Sequence, residues 1–142
     1  MNNSQTTPNP DLQPLNRLVG RWQLSGETEG MVTYEWMEGG FFLLQHFDFT
    51  LHGHRVKGME VIGHLQPFSS NPSPEIWSRA YDCEGNTLDY VYELDDDTLM
   101  IWGGQKGSLS YFRGQFNADG TVNTGEWVWP GGGYKSEMRK IK

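Results

Sequence analysis

The stretch FFLLQHFDF (residues 41–49) alternates between an almost wholly apolar set of side chains and a mixed set. The apolar set comprises Phe41, Leu43, Gln45, Phe47 and Phe49. Strict alternation is the pattern of a β-strand with one buried face. We therefore predict a strand whose apolar set faces the interior, with Gln45 as its single polar member and His46 and Asp48 outside. A register shift of one residue would exchange the two faces.

Similar alternation recurs along most of the chain. The further runs are VTYEW (32–36), KGMEVIGHL (57–65), WSRAYDC (77–83), TLDYVYEL (87–94) and SYFRGQF (110–116). In 57–65 we assign Met59, Val61 and Leu65 to the apolar face, which places Glu60 and His64 on the opposite face. In the run that begins at Trp77, the large residues and the small residues occupy opposite faces. We place the large ones inside; the alternative is that Arg79 points outward or pairs with a carboxylate of the protein at a barrel mouth.

Short turns rich in glycine and acidic residues separate these runs. Turn signals stand at 84–86 (EGN), 95–97 (DDD) and 117–120 (NADG), and the one long connection is 66–74. Short turns make neighbouring strands antiparallel. About ten such strands favour closure, because an open sheet would leave two unpaired edges. We predict an all-β fold, a single up-and-down antiparallel β-barrel of about ten strands, with a β-sandwich as the alternative.

The N-terminal region differs from the rest of the chain. Residues 1–10 are polar and contain prolines, and we expect a flexible arm there, with the barrel domain spanning 11–142. The segment DLQPLNRLVG (11–20) predicts one short helix across a barrel mouth. Asp11 is its expected N-cap, and Leu12, Leu15 and Val19 form its apolar face.

Composition excludes several classes of function. The net charge of −7 and the pI of about 4.9 argue against nucleic-acid and anionic-membrane partners. No apolar run approaches the length of a membrane span, and the first ten residues lack the pattern of a signal peptide. A single cysteine, Cys83, rules out an internal disulfide and fits a reducing compartment. These features predict a cytoplasmic protein.

Several motifs together resemble a bacterial family of small lipocalin-like domains of unknown function, within the calycin superfamily. They are LNRLVGRW (15–22), YEWMEGGFFL (34–43), DCEGN (82–86) and FRGQFNADGTVNTGEW (112–127). The resemblance runs from Leu15 to Ile141 and implies a calycin-type barrel. It also implies that Trp22 closes one barrel end and that Arg139 packs on it through a cation–π contact. It implies no activity.

Haem and metal sites are not expected. The calycin superfamily includes haem-binding nitrobindins, whose motif has glycine where this chain has Leu24, and whose axial histidine lies on a late strand. All four histidines here precede residue 65. His52 and His54 flank a glycine turn with Glu60 further on, but a catalytic zinc site needs three protein ligands. We predict no metal and no cofactor.

The interior aromatic residues indicate either a filled core or a ligand pocket. We predict that a small-molecule ligand contacts the inward residues, and that Arg79 and Tyr81 hold a carboxylate group by charge-assisted hydrogen bonds. The predicted ligand-binding set is Tyr34, Trp36, Gln45, Phe47, Arg79, Tyr81, Tyr90, Tyr92, Phe112 and Trp127.

Three functional hypotheses remain open from the residues alone. The first is a non-enzymatic binder of a small apolar or amphipathic molecule, which carries a carboxylate if Arg79 anchors it. The second is a small barrel enzyme that uses Arg, Tyr and Glu on a phenolic or carboxylic substrate, although no spacing singles out catalytic residues. The third is a homodimeric interaction module with a filled core, joined through the outer residues Phe42 and Leu44.

Overall fold

The computed structural model describes residues 7–141 and shows ten strands and one short 3₁₀ helix. The helix spans Pro10–Leu18. The strands are β1 Gly20–Gly26, β2 Thr28–Trp36, β3 Phe42–Leu51, β4 His54–His64, β5 Ile76–Asp82, β6 Thr87–Asp95, β7 Thr98–Gly103, β8 Tyr111–Phe116, β9 Val122–Trp129 and β10 Gly132–Ile141. Residues 1–6 of the predicted arm lie outside the described residues, and Pro10 already belongs to the helix.

The ten strands form one closed antiparallel barrel. Each strand pairs with its neighbours in sequence, and β1 closes the ring by pairing with β10 from Arg21 opposite Ile141 to Gly26 opposite Ser136. Closure leaves no sheet edge unpaired, which removes the aggregation risk of an open sheet. The predicted fold class is confirmed. Within residues 7–141 the structure has no helix with the length and apolar character of a membrane span.

The helix differs in detail from the prediction because it is 3₁₀ and not α. A 3₁₀ helix has three residues per turn, so residues three apart share a face. Leu12, Leu15 and Leu18 have this spacing and are buried, whereas Val19 follows the helix as its C-cap. The predicted N-cap was also wrong, because the Asn9 side chain accepts the hydrogen bond from the Asp11 N–H, at 3.0 Å.

The helix covers one end of the barrel, which we call the closed end. Its leucines pack with Trp22, Leu43 and other buried residues in the main core cluster. Polar contacts connect it to β2 and to the β6–β7 turn: Trp36 Nε1 donates to Asn16 Oδ1 at 2.8 Å, and Arg17 pairs with Asp97 at 3.1 Å. The opposite end, formed by the β1–β2, β3–β4, β5–β6, β7–β8 and β9–β10 connections, is the open end.

Trp22 closes the barrel at the helix end, as the resemblance implied. Its side chain is fully buried, and its Nε1–H donates to the Leu18 carbonyl oxygen at 2.8 Å. The implied cation partner was wrong, because Lys140 Nζ lies 5.0 Å from the Trp22 ring centroid. Trp22 stands directly opposite Lys140 in the β1–β10 register. Arg139, which precedes Lys140, points outward and pairs with Glu137.

Strand β3 has the predicted orientation. Leu43 is buried, and Gln45, Phe47, Phe49 and Leu51 line the interior. On the outside, His46 lies 3.3 Å from Glu35 and Asp48 pairs with Arg55. The same agreement holds for β2, β6 and β8: of the predicted inward residues, Tyr34 and Tyr92 are buried, and Tyr90 and Phe112 line the interior.

Strands β4 and β5 have the opposite orientation to the one predicted. On β4 the interior residues are Glu60, Ile62 and His64, and Met59 and Val61 lie on the outer face. Both faces of this strand carry apolar residues, so alternation could not distinguish them.

On β5 the interior residues are the small ones, Ser78 and Ala80, together with Ile76. Arg79 and Tyr81 are therefore outside, where the Arg79 guanidinium pairs with both carboxylate oxygens of Asp89. The interior orientation predicted for Arg79 and Tyr81 was wrong.

Inward-facing glycines allow aromatic rings to lie flat against the barrel wall. Gly114 and Gly125 stand opposite each other on β8 and β9, and the Phe112 ring lies over both of them. On β4 the Phe47 ring lies over Gly58 in the same way. Because these rings lie along the wall, they leave the centre of the open half of the barrel free.

Replacing Gly125 by alanine should therefore destabilise the fold. A Cβ there would overlap the Phe112 ring and lie 2.9 Å from the Arg113 carbonyl oxygen. We expect a loss of about 1–3 kcal/mol in the free energy of unfolding, measured by urea denaturation. Gly103→Ala is the matched control, because its nearest neighbour would be the Ser110 carbonyl oxygen at an ordinary 3.4 Å. Equal stability of the two variants would contradict this packing interpretation.

Candidate functional site

The open half of the barrel encloses a cavity of about 730 Å³. The closed half is filled by Trp22, Leu43, Ile62, Leu99 and Phe116. The interior is therefore part core and part cavity, where the sequence left these two as alternatives. A cavity of this size is within the range that small-molecule sites occupy. Leu88 and Trp129 lie at its rim and are 47% and 42% exposed.

A buried carboxyl group is the main polar feature of the cavity wall. Glu60 on β4 is only 4% exposed, and both of its oxygens accept hydrogen bonds. Tyr92 Oη donates to Oε1 at 2.9 Å, and the Ser78 hydroxyl donates to Oε2. Each carboxyl oxygen keeps a second lone pair, so the group can also accept a hydrogen bond or a proton from a ligand.

Burial raises the pKa of Glu60 to about 7, against the lowering effect of the hydrogen bonds from Ser78 and Tyr92. The cause is desolvation, which disfavours the charged form of an acid. The carboxyl group is therefore divided between its protonated and ionised forms near neutral pH. Such a group can act as either a proton donor or a proton acceptor in this pH range.

A second polar pair stands beside Glu60. Gln45 Nε2 donates to the Tyr34 hydroxyl oxygen at 2.6 Å, and Gln45 is the direct cross-strand neighbour of Glu60 on β4. Burial and the Glu60 charge raise the pKa of Tyr34 well above its ordinary value, so its hydroxyl keeps its hydrogen. No atom of residues 7–141 accepts that hydrogen, which leaves it free to be donated to a ligand.

Aromatic rings form a continuous part of the wall. The Trp127 ring lies 5.5 Å from the Phe112 ring and 5.6 Å from the Tyr90 ring, measured between centroids. These are favourable tilted aromatic contacts. Near the Phe112 ring, Asn123 is 1% exposed, and neither atom of its amide group has a hydrogen-bond partner among residues 7–141.

The charged groups that line the cavity are all acidic. The lining residues include Glu60, Asp82 and Asp89, and no lysine, arginine or histidine occurs among the described ones, but the Asp89 carboxylate itself is on the outer face, where it pairs with Arg79. Hydrogen bonds from the Asn86 side chain and from neighbouring backbone N–H groups lower the pKa of Asp82, so this rim carboxylate is ionised near neutral pH. The electrostatic potential of the cavity therefore disfavours an anionic ligand.

Seven of the ten predicted ligand contacts line the cavity. They are Tyr34, Gln45, Phe47, Tyr90, Tyr92, Phe112 and Trp127. The other three do not: Trp36 is bonded to the helix at the closed end, and Arg79 and Tyr81 are on the outer face. The predicted carboxylate anchor therefore has no place in the cavity.

Sequence reasoning missed the polar residues that matter most, Glu60, Ser78 and Asn123. Each lies on a strand whose alternation is weak or symmetric, so its orientation depends on register with the neighbouring strand. A usable signal was the pairing of β4 with β3. Once Gln45 is placed inside, the residue opposite it, Glu60, must be inside as well.

The histidine turn and the cysteine are on the surface. His52 and His54 are exposed and lie 3.0 and 3.1 Å from the carboxylates of Glu27 and Glu84. No cluster of three or more metal-ligating residues occurs within residues 7–141. Cys83 is a free, exposed thiol.

Fold and cavity together define the chain as a closed ten-stranded antiparallel barrel that encloses a small-molecule-sized, acidic and aromatic cavity. The sequence matches no known protein-family model and has no significant similarity to any curated protein.

Proposed function

We propose that this protein binds a small, mainly apolar and uncharged or basic molecule inside the open half of its barrel. The observation that carries the proposal is the cavity of about 730 Å³ with aromatic walls and a hydrogen-bonded polar cluster at Glu60. Apolar walls supply most of the binding free energy, and a few placed polar groups orient the ligand. Because the charged groups of the lining are acidic, we propose a neutral or cationic ligand instead of the carboxylate-bearing ligand predicted from the sequence.

A pair of fluorescent probes tests both the site and the charge preference. N-phenyl-1-naphthylamine is neutral and carries one N–H donor, whereas 8-anilinonaphthalene-1-sulfonate has the same ring system with a negative charge. We expect the neutral probe to bind with a micromolar Kd, and the anionic probe to bind at least about tenfold more weakly because of the acidic lining. The Kd of each probe is measured by fluorescence titration at constant ionic strength.

Adjacent residues on β4 provide a matched pair of variants. Val56 lines the cavity near its rim, and Lys57 is exposed on the opposite face of the same strand. Val56→Trp should obstruct the cavity and weaken binding of the neutral probe at least about tenfold, whereas Lys57→Trp should leave its Kd unchanged. Equal affinity of these two variants, or stronger binding of the anionic probe, would contradict the proposal.

We also propose a cellular compartment and a family relationship for this protein. The free thiol of Cys83 supports a reducing compartment such as the cytoplasm. The closed barrel and the buried Trp22 at its helix end support a family relationship with the bacterial lipocalin-like domains that the sequence resembles.

The hypothesis of a homodimer through Phe42 and Leu44, which lie on the outer face of β3, is tested by light scattering during size-exclusion chromatography.

A further inference from the structure

The cavity brings a proton acceptor and a hydrogen-bond donor together in one row. Tyr34 on β2, Gln45 on β3 and Glu60 on β4 stand directly opposite one another across three paired strands. The Cβ atoms of directly opposed residues are about 5 Å apart, and these side chains are on the same face. Glu60 also contributes electrostatically to the raised pKa of Tyr34, which agrees with the proximity of the two groups.

Each end of this row has unused hydrogen-bonding capacity. The Glu60 oxygens hold one hydrogen bond each, from Tyr92 and from Ser78. The Tyr34 oxygen accepts from Gln45, and its own hydrogen has no acceptor among residues 7–141. Donation by Gln45 polarises the Tyr34 O–H bond and makes it a stronger donor.

We propose that the cavity catalyses proton transfer at a carbon next to a carbonyl group, with Glu60 as the base and the Tyr34 hydroxyl as the donor to the developing oxyanion. The substrate class is an uncharged, apolar ketone or enone. The proposal rests on the proposed function, because such a molecule must first enter the cavity.

The step is balanced without any oxidant, reductant or cofactor. Ionised Glu60 takes the proton, the electron pair of the C–H bond forms a carbon–carbon double bond, and the carbonyl π electrons move to oxygen. The resulting enolate accepts the Tyr34 O–H hydrogen bond, the stabilisation that an oxyanion hole supplies. In simple exchange, protonated Glu60 exchanges its proton with solvent and then protonates the same carbon; in isomerisation, it delivers its proton to the γ carbon of an enone.

The titratable groups around Glu60 allow the pH dependence to be assigned. Burial raises the pKa values of Tyr34, Tyr90 and Tyr92 well above neutrality, so all three stay protonated at neutral pH. Asp82 at the rim is ionised there, since hydrogen bonds lower its pKa, and Tyr134 in the cavity lining stays protonated, since burial raises its pKa. Glu60, whose pKa is about 7, is the group among these six that titrates near neutral pH.

The experiment measures hydrogen–deuterium exchange in 2-tetralone, a neutral bicyclic ketone, by ¹H NMR in D₂O. We expect the protein to accelerate exchange next to the carbonyl group, with a rate that rises with pH and levels off above about 7. Glu60→Gln should lower the protein-dependent rate by about 100-fold or more, and Tyr34→Phe by about tenfold or more. Exposed Glu29→Gln is the control, and its rate should equal that of the wild type.

Binding of N-phenyl-1-naphthylamine to each variant separates chemistry from folding. We expect Glu60→Gln and Tyr34→Phe to bind this neutral probe within about threefold of the wild type. If the wild type binds the probe but exchanges 2-tetralone no faster than buffer, or if Glu60→Gln keeps the full rate, the catalytic proposal is wrong and the binding function stands. If the wild type binds neither the probe nor the ketone, both proposals are wrong.

Discussion

Replacing Glu60 by glutamine is expected to stabilise the protein above neutral pH. The folded-state pKa of Glu60 is about 7, against 4.5 for an ordinary glutamate. Between these values the folded state binds more protons than the unfolded state, so stability falls as pH rises from about 4.5 to 7. This pKa difference corresponds to about 3 kcal/mol in the free energy of unfolding. The wild type has this stabilisation below about pH 4.5 and has lost it above about pH 7. A neutral glutamine amide at this position has no charge to bury, so the variant should not lose this stability.

Urea denaturation at about pH 5 and about pH 8 measures this effect. The stability difference between Glu60→Gln and the wild type should be small at the lower pH, where the wild-type carboxyl is largely protonated. It should favour the variant at the higher pH. Glu29→Gln, an exposed position on β2, should show no such change with pH. A difference between Glu60→Gln and wild type that is equal at both pH values would show that the Glu60 carboxyl is not desolvated.

Removing the Trp22 side chain should produce the largest loss of stability among single substitutions at the closed end. Trp22 is fully buried among the helix leucines and Phe116, and it donates a hydrogen bond to Leu18. Trp22→Ala leaves a cavity and an unpaired carbonyl group, and we expect a loss of about 3–5 kcal/mol in the free energy of unfolding.

Trp129→Ala is the matched control for this prediction. Trp129 is at the open end, is 42% exposed and contacts Tyr134 edge-on at 6.0 Å. Its removal should cost clearly less than removal of Trp22, as measured by urea denaturation at one pH. Similar losses for the two tryptophans would contradict the view that the closed end is the packed half of the barrel.

The sequence predicts strand orientation where one face is clearly apolar, as in β3. Phe41, Leu43, Phe47 and Phe49 have no comparable set on the opposite face, so a wrong register would expose several large side chains to water. The same contrast identified the strands that carry Tyr34, Tyr92 and Phe116. Short turns between these runs then led directly to a closed antiparallel barrel.

The site itself was harder to predict because small and polar side chains face the interior around the cavity, where large apolar side chains are usually expected. On β5 the small residues Ser78 and Ala80 face inward to leave space, and the large residues Trp77 and Tyr81 pack outside. On β4 the interior face carries Glu60, a residue that is buried only when its hydrogen bonds are satisfied. Those bonds come from β5 and β6, and no pattern within β4 could reveal them.

The dependence on neighbouring strands also explains why the sequence indicated the wrong cation partner for Trp22. Arg139 and Lys140 are adjacent and both cationic, so the choice between them depends only on register. The β1–β10 pairing places Lys140 opposite Trp22. The helix face likewise depended on local backbone geometry, because Leu18 shares a face with Leu12 and Leu15 only when there are three residues per turn, whereas 3.6 residues per turn would place Val19 there.

A crystal structure of the protein soaked with N-phenyl-1-naphthylamine tests most directly whether the barrel binds a neutral aromatic ligand in its interior. We expect the naphthyl ring in the open half of the barrel, against Phe112 and Trp127, with the probe nitrogen within hydrogen-bonding distance, about 3.2 Å, of the Glu60 carboxyl group. A saturating probe found only on the outer face, for example against Trp77, with the interior free of it, would contradict this claim.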